Sequence, residues 1–390
     1  MKFTRIELKN WKNFTHADVE LRGRMFVVGA NASGKSNFLE AFRFLRDLAL
    51  PGGGLAEAVR LRGGMKAVRS VHARRDPEVM IRVEAELAEG QRWTYELAFT
   101  ARKQGGTPIV VREVVTRHGE GGNGRGAGVL LARPDEEDQR DPERLTQTAL
   151  EQTIANREFR ELAEFFRSVR YLHLVPQLVR EGTPRPDAVL GEDTMGRDLL
   201  ERIRSAPKRQ RDARLGRIGK VLEIAAPGLK SLELHEDEQR RPHLRVRFEH
   251  WRPTGAFQDE TQFSDGTLRL VGMLWSLQER AGPLLLEEPE LSLHGALMAR
   301  LAPFIHRARK AAGDRQVILS THSEQLLLDP GIAPEEVLLV RAGNEGSTIT
   351  QASRSEAVRA MLDATSGSMA EAVLPLTRAS QLELFDRVAP

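Results

Sequence analysis

Eight residues, Gly29-Ala30-Asn31-Ala32-Ser33-Gly34-Lys35-Ser36, constrain this chain more than any other stretch. They match the pattern GxxxxGK(S/T), and the flanks suit it. The apolar run Met25-Phe26-Val27-Val28 precedes the loop, and Phe38, Leu39, Phe42 and Leu45 follow at helical spacing. A strand that enters such a loop and leaves as a helix turns backbone N–H groups inward around phosphate. The helix N-terminus adds a partial positive charge there. Lys35 is placed to reach the β- and γ-phosphates of a nucleotide, and the Ser36 hydroxyl to ligate Mg²⁺. The pattern alone arises by chance in roughly one chain in a hundred of this length, so the strand and helix on either side decide the reading.

Composition narrows the classes. The 390 residues are 40% hydrophobic, enough for two domains or for one core with an insertion. There are no cysteines, which excludes disulfides, thiolate metal sites and cysteine nucleophiles. No run of 18 apolar residues is present, and the N-terminus alternates in character without a signal-peptide core. A cytoplasmic protein with no membrane contact is expected. Net charge is only +3, yet just ten of the 58 basic residues are lysines. Arginine's planar fork suits phosphate recognition, although a GC-rich genome produces the same bias.

Three weaker motifs follow in order. Phe263-Ser264-Asp265-Gly266-Thr267 opens a helix expected to run to Glu279 and offers a hydroxyl and free N–H groups to an anion, or a plain N-cap. Leu284-Leu285-Leu286-Glu287-Glu288-Pro289 is an apolar strand ending in two acids. Successive strand residues face opposite ways, so the two carboxylates take different tasks: Glu287 for the metal, Glu288 for the attacking water. Ser320-Thr321-His322-Ser323 ends another apolar strand, where a histidine can sense a γ-phosphate or simply serve the structure.

Taken together, these motifs resemble the head of an ABC-type ATPase. Ile6-Glu7-Leu8-Lys9-Asn10-Trp11-Lys12-Asn13-Phe14 is similar to the opening of the RecF, SMC and OLD groups, and Asn37 after the loop is typical of them. Glu287-Glu288-Pro289-Glu290 with Leu293-His294 resembles the acidic strand and D-loop of RecF-like and OLD-like predicted ATPases. The resemblance implies an α/β fold: a P-loop head with a mixed sheet core, an N-terminal antiparallel β subdomain and a compact, mainly helical insertion. It implies that Lys12 and Asn13 lie near the nucleotide and that Gly29, Asn31, Gly34, Lys35, Ser36 and Asn37 form the phosphate loop. Ser264 and Gly266 then cap the γ-phosphate of a second subunit, with Glu290 to His294 at the dimer seam. Glu287 and Ser36 hold Mg²⁺, Glu288 is the catalytic base, and His322 is the switch. Some positions depart from the pattern. Ala32 stands where relatives have glycine, and the signature reads Ser-Asp-Gly-Thr. No glutamine occurs between Asn37 and Gln91, which leaves His72 or Gln177 as substitutes for the usual glutamine ligand.

The expected domains are 1–105 and 231–345 as the two halves of the head, 106–230 as a largely helical lid, and 346–390 as a helical tail. The longest proline-free run in the lid is 143–175, which as one helix would reach only about 50 Å, so no long coiled coil fits. The pattern from Asp141 to Arg170 reads as helical. The basic segment Glu201–Lys220 carries Arg202, Arg204, Lys208, Arg209, Arg211, Arg214, Arg217 and Lys220, a candidate DNA contact or a solvated face. After His322 there is no acidic D-x-D cluster, so no nuclease is expected in this chain. The functional expectation is a slow ATPase that forms an ATP-sandwiched homodimer. It would act on DNA or control a separate nuclease or effector, in repair or anti-phage defence. The alternative is a non-enzymatic, ATP-stabilised scaffold for an effector protein.

Overall fold

The opening residues alternate in polarity, and they bury alternate side chains: Ile6 and Leu8 face inward while Glu7 and Lys9 stay partly exposed. The computed structural model describes residues 1–87, 90–102, 106–119, 128–182, 193–225, 228–249, 256–365 and 367–377. Its strands in chain order are β1 (Lys2–Trp11), β2 (Phe14–Glu20), β3 (Arg24–Gly29), β4 (Val79–Glu86), β5 (Arg92–Ala101), β6 (Pro108–His118), β7 (Gly128–Arg133), β8 (Arg170–Leu172), β9 (Leu229–Glu236), β10 (Pro242–Phe248), β11 (Ala256–Asp259), β12 (Leu284–Glu287), β13 (Val317–Thr321), β14 (Val337–Arg341) and β15 (Thr348–Gln351). The chain packs as two units. The first holds Met1–Arg170, Ala281–Leu285 and the chain from Arg315 onward; the second holds Tyr171–Arg280 and Leu286–Asp314.

The first unit contains an antiparallel sheet, β2-β1-β4-β5-β6-β7, and a core sheet that runs β15-β14-β3-β13-β12. In the core sheet β3 has a parallel neighbour on each side, with Val27 opposite Ser320 of β13 and Leu338 of β14. Every residue of β3 is buried, which is why it reads as a continuous apolar run rather than an alternation. The helix Lys35–Ala49 is buried on nearly all sides. Phe42 meets Phe3 of β1 at 5.0 Å between ring centroids, and Phe44 stacks on Phe99 of β5 at 5.4 Å. The Gln316 amide joins the sheets: it accepts from Phe3 N and donates to Phe3 O, both at 2.8 Å, beside the register shift between Phe3 and Arg5.

A charged cluster is sealed under β6. Glu113 is fully buried and accepts from the Tyr95 hydroxyl at 3.0 Å, from the Ala149 and Leu150 amides at 2.7 and 3.1 Å, and from Arg133 at 3.3 Å. Burial pushes the Glu113 carboxyl up, and the two amides and Arg133 oppose the shift. Arg133 also clasps Asp138 through two bonds of 2.9 and 2.8 Å.

The second unit holds an antiparallel sheet, β11-β10-β9, with Leu232, Leu244 and Val246 buried. Against β9 lies the helix Lys208–Ala225, which buries Leu215, Ile218 and Leu222 at helical spacing. The helices Asp265–Gln278 and Gly295–Ala311 complete this unit's larger elements.

Several expectations change. Residues 17–28, which end in the apolar run before the loop, fall in two strands of different sheets, β2 and β3, because the chain leaves the antiparallel sheet at Leu21–Gly23. The helical pattern from Asp141 to Arg170 resolves into the short turns Pro142–Thr146 and Arg157–Phe159 and one helix, Arg160–Arg167. Within 106–230, β6 and β7 extend the N-terminal sheet before any helix begins. The glycine-rich stretch 119–128 falls mostly outside the described residues.

Replacing Glu113 with alanine leaves Arg133 buried with Asp138 as its remaining carboxylate partner in the cluster and strands two amides. The expected loss is about 3–5 kcal/mol, read as a lower denaturant midpoint at unchanged slope. A midpoint equal to that of the unaltered chain would mean the cluster contributes nothing to stability.

Candidate functional site

The phosphate loop lies in the first unit, between β3 and the helix Lys35–Ala49. Gly34 takes φ +110°, and a Cβ there would meet the Asn13 amide at 2.0 Å, so no other residue fits. Ala32 also takes a left-handed φ of 60°, a conformation that costs an L-residue about 1–2 kcal/mol. The helix begins with no acid in its first turn and with Arg46 in its last, the polarity that favours an anion at its start. Lys35 is buried and its ammonium donates to the Gly29 and Ala30 carbonyls at 2.9 and 3.0 Å. Asn31 and Ser36 are exposed on the loop.

Hydrogen bonds from distant segments hold the loop. Asn13, in the turn between β1 and β2, donates to Ser33 O at 3.0 Å and to the Ser347 hydroxyl at 2.6 Å. Ser347 in turn donates to Ser33 O at 2.6 Å, and its own amide donates to Asn13 O at 2.7 Å. Asn37 donates to the Asn13 side-chain oxygen at 2.8 Å, and the Trp11 indole donates to Asn37 O at 2.8 Å. Asn13 and Asn37 are therefore braces for the loop backbone. Lys12 takes φ 52° beside them, and burial holds its ammonium below the ordinary lysine value; Glu40 opposes this, and Arg62 and Arg43 reinforce it. His322 follows β13, whose Thr321 pairs with Val28, so it emerges at the same sheet end as the loop. His72 packs beside Gly346 near this brace.

The acidic end belongs to the second unit. β12 ends at Glu287, and Glu288 turns into the left-handed region at φ 42°. Strand alternation therefore stops between the two carboxylates, and the turn separates them. Residues held in this way cluster at functional sites. The Tyr171 hydroxyl donates to Glu287, and His173 Nδ1 lies 3.9 Å from the same carboxylate. Burial lowers the His173 pKa and Arg269 lowers it further, while Glu288 and the Glu287 backbone oppose. Burial also lowers Arg269, against the pull of Asp265 and Glu288. Tyr171 and His173 were missed from sequence. Their signal was an i, i+2 pair of polar rings inside a short apolar run, which strand geometry puts on one face.

Ser264 is exposed and caps the helix Asp265–Gln278, accepting from Thr267 N at 3.2 Å. Gly266 approaches the segment after the acidic pair so closely that a Cβ would lie 2.3 Å from Ser292 O. Asp265 receives Arg180 at 2.6 Å and Gln177 at 3.3 Å, so Gln177 is engaged with this loop. The basic segment is split at Ala206-Pro207 into the helices Leu199–Ser205 and Lys208–Ala225. Arg202 is paired with Glu279, Arg204 with Glu201 and Arg211 with Asp212, so only part of the expected basic face is uncommitted.

The loop fits a polyphosphate: a wedge that admits only glycine at Gly34, a buried lysine, and a helix start free of acids. The Ser36 hydroxyl and Glu287 carboxylate are hard oxygen donors of the kind Mg²⁺ accepts. Among the described residues no cluster of three or more His, Asp or Glu side chains could by itself hold a metal.

A solved structure shares the fold of this chain. The SMC head bound to the C-terminal winged-helix domain of ScpA aligns over 90% of this chain and 98% of its own, with 15% identity and a TM-score of 0.52. The SMC head domain from Thermotoga maritima aligns over 90% and 99%, with 16% identity and a TM-score of 0.46. Endonuclease GajA of Bacillus cereus (strain VD045) is 45% identical over 47 residues, which is 12% of this chain and 8% of that protein. The profile described as "AAA domain, putative AbiEii toxin, Type IV TA system" matches residues 24–329. The chain therefore belongs to that family, AAA_21, and has the fold of an ABC-type ATPase head.

Proposed function

We propose that this chain binds ATP with Mg²⁺ at its phosphate loop and hydrolyses it slowly, in a dimer whose two copies share each nucleotide. The observation that carries the reading is the braced loop: Gly34 wedged against Asn13, with a buried Lys35 opening a helix that has no acid in its first turn. In this reading Lys35 serves the β- and γ-phosphates, and Ser36 and Glu287 hold the metal. The metal offsets charge that develops on the phosphates. Glu288 orients and deprotonates the attacking water, and its left-handed turn at the strand end sets its carboxylate apart from Glu287. His322 contacts the γ-phosphate. Exposed Ser264, with Gly266 behind it, caps the nucleotide of a second copy.

The closed dimer would then engage DNA or a partner effector in the cytoplasm, in DNA repair or in defence against foreign DNA. The short likeness to Endonuclease GajA supports that setting. No helix among the described residues is long and apolar enough to cross a membrane. One observation favours the second reading, an ATP-stabilised scaffold with little turnover: the Tyr171 hydroxyl donates to one oxygen of Glu287, the carboxylate that would hold the metal.

Lys35→Ala removes both the charge and the phosphate anchor, and calorimetry is expected to record no ATP binding. Unchanged affinity would overturn the loop assignment. Glu288→Gln keeps ATP binding but cannot accept the water's proton, so phosphate release is expected to fall by about 10²–10⁴-fold. The same variant is expected to accumulate as a dimer with ATP in light scattering, because ligand that bridges two chains stabilises the bridged state. Tight binding of ATP by the unaltered chain without steady phosphate release would support the scaffold.

A further inference from the structure

The second unit contains a groove of about 900 Å³ between the helices Lys208–Ala225, Asp265–Gln278 and Gly295–Ala311. Six cations line it: Arg209, Arg214, Arg217, Lys220, Arg280 and Arg307. They come from three separate stretches of chain, so the clustering is a product of packing. Among the described residues the groove lining includes no carboxylate, and none of the six cations forms an ion pair. The nearby acids are engaged elsewhere: Glu279 with Arg202, Asp212 with Arg211, and Asp314 with Arg309 and Lys310. Arg214 lies 5.3 Å over the Trp275 ring, and Arg217 donates to Gln278 at 2.7 Å, which holds both guanidiniums at the wall. Burial holds Arg214 below the ordinary arginine value; Glu279 opposes, while Arg217 and Arg280 push the same way. Six cations thus share one concavity whose lining supplies no carboxylate.

The floor is apolar. Ile218 and Leu274 close the groove from beneath, and its accessible apolar surface is Val221, Phe304 and Ala308, each half-buried, with Ala311 exposed beside them. A nucleic-acid backbone needs the cations but has no use for this floor. A cationic rim over an apolar floor complements a helix whose apolar anchors recur at i, i+3, i+4 and i+7 and whose flanks carry carboxylates. Five of the six cations are arginines, which bind carboxylates bidentately. From this complementarity we infer that the groove is the docking site for an acidic amphipathic helix of a partner protein. This specifies the protein-partner branch of the function proposed above and does not depend on ATP turnover.

The test pans the full-length protein against displayed helical peptides about four turns long, with apolar residues at the anchor spacing and polar positions randomised over Glu, Gln and Lys. Selected peptides are expected to be rich in Glu. Their affinity by fluorescence anisotropy is expected to fall at least about tenfold in Arg209→Glu/Arg280→Glu/Arg307→Glu and in Phe304→Ser. ATP binding by calorimetry serves as the folding control in both variants. Peptide binding is expected to persist in Lys35→Ala, so failure of the ATPase reading and failure of this one are separable. The inference is overturned if no peptide is enriched or if Glu is not preferred over Lys. It is also overturned if the variants bind the selected peptides unchanged, or if a short DNA duplex displaces them and binds more tightly. That last result would assign the groove to nucleic acid.

Discussion

One side chain amide, that of Asn13, ties together segments that lie 20 and 334 residues apart along the chain. It bonds the phosphate loop at Ser33 and the hairpin residue Ser347, and it accepts from Asn37 on the first turn of the following helix. Gly34 has no side chain because the amide occupies that space. A loop whose backbone must present N–H groups to an anion cannot rely on helix or sheet bonds for its own rigidity. Here the rigidity comes from the turn between β1 and β2. The antiparallel sheet is thereby coupled to the end of the core sheet that carries the loop, and the long loops closed by these bonds cost folding entropy that the buried aromatic core must offset.

That core explains why the brace is reliable. The helix Lys35–Ala49 is buried on nearly every side, with Phe42 on Phe3 and Phe44 on Phe99. Gln316 copies a strand's donor and acceptor to close the register shift at Phe3, which secures β1 to the core sheet. Glu113 and Arg133 do the equivalent beneath β6, where one carboxylate satisfies two backbone amides and a phenol. In both places polar groups are buried only where each has a partner, as the cost of desolvation requires.

The second unit handles charge in the opposite way. Around Glu287 the polar groups converge: a phenol, and a histidine and an arginine whose burial lowers their pKa values, stand by two carboxylates. In the groove between its helices cations converge on a lining that holds no carboxylate. Charge of one sign gathered in a concavity is where an external partner of opposite sign gains most.

Local order was legible in the sequence because it obeys short-range rules. The continuous apolar run of β3, the glycines of the loop, the helix that follows them and the acid pair after Leu284–Leu286 can be read from spacing and residue type alone. The α/β class, the mixed core sheet and the family follow from those motifs in their order. The brace was half legible: Lys12-Asn13 stood out as a motif, but its role as support depends on Ser347, a lone serine with no pattern around it. Tyr171 and His173 left only a single i, i+2 spacing, and the carboxylate they meet, Glu287, lies more than a hundred residues further along the chain. The helical reading of 141–170 failed because tertiary contacts, such as Glu113 capturing the Ala149 and Leu150 amides, outbid helix propensity there. The basic segment shows the limit most clearly. Its charges could be counted along the chain, but ion pairing decided which were spent, and helix packing brought Arg280 and Arg307 to the remainder. Contacts within a turn or a strand are written in adjacent residues, whereas contacts across hundreds of residues exist only once the chain has folded.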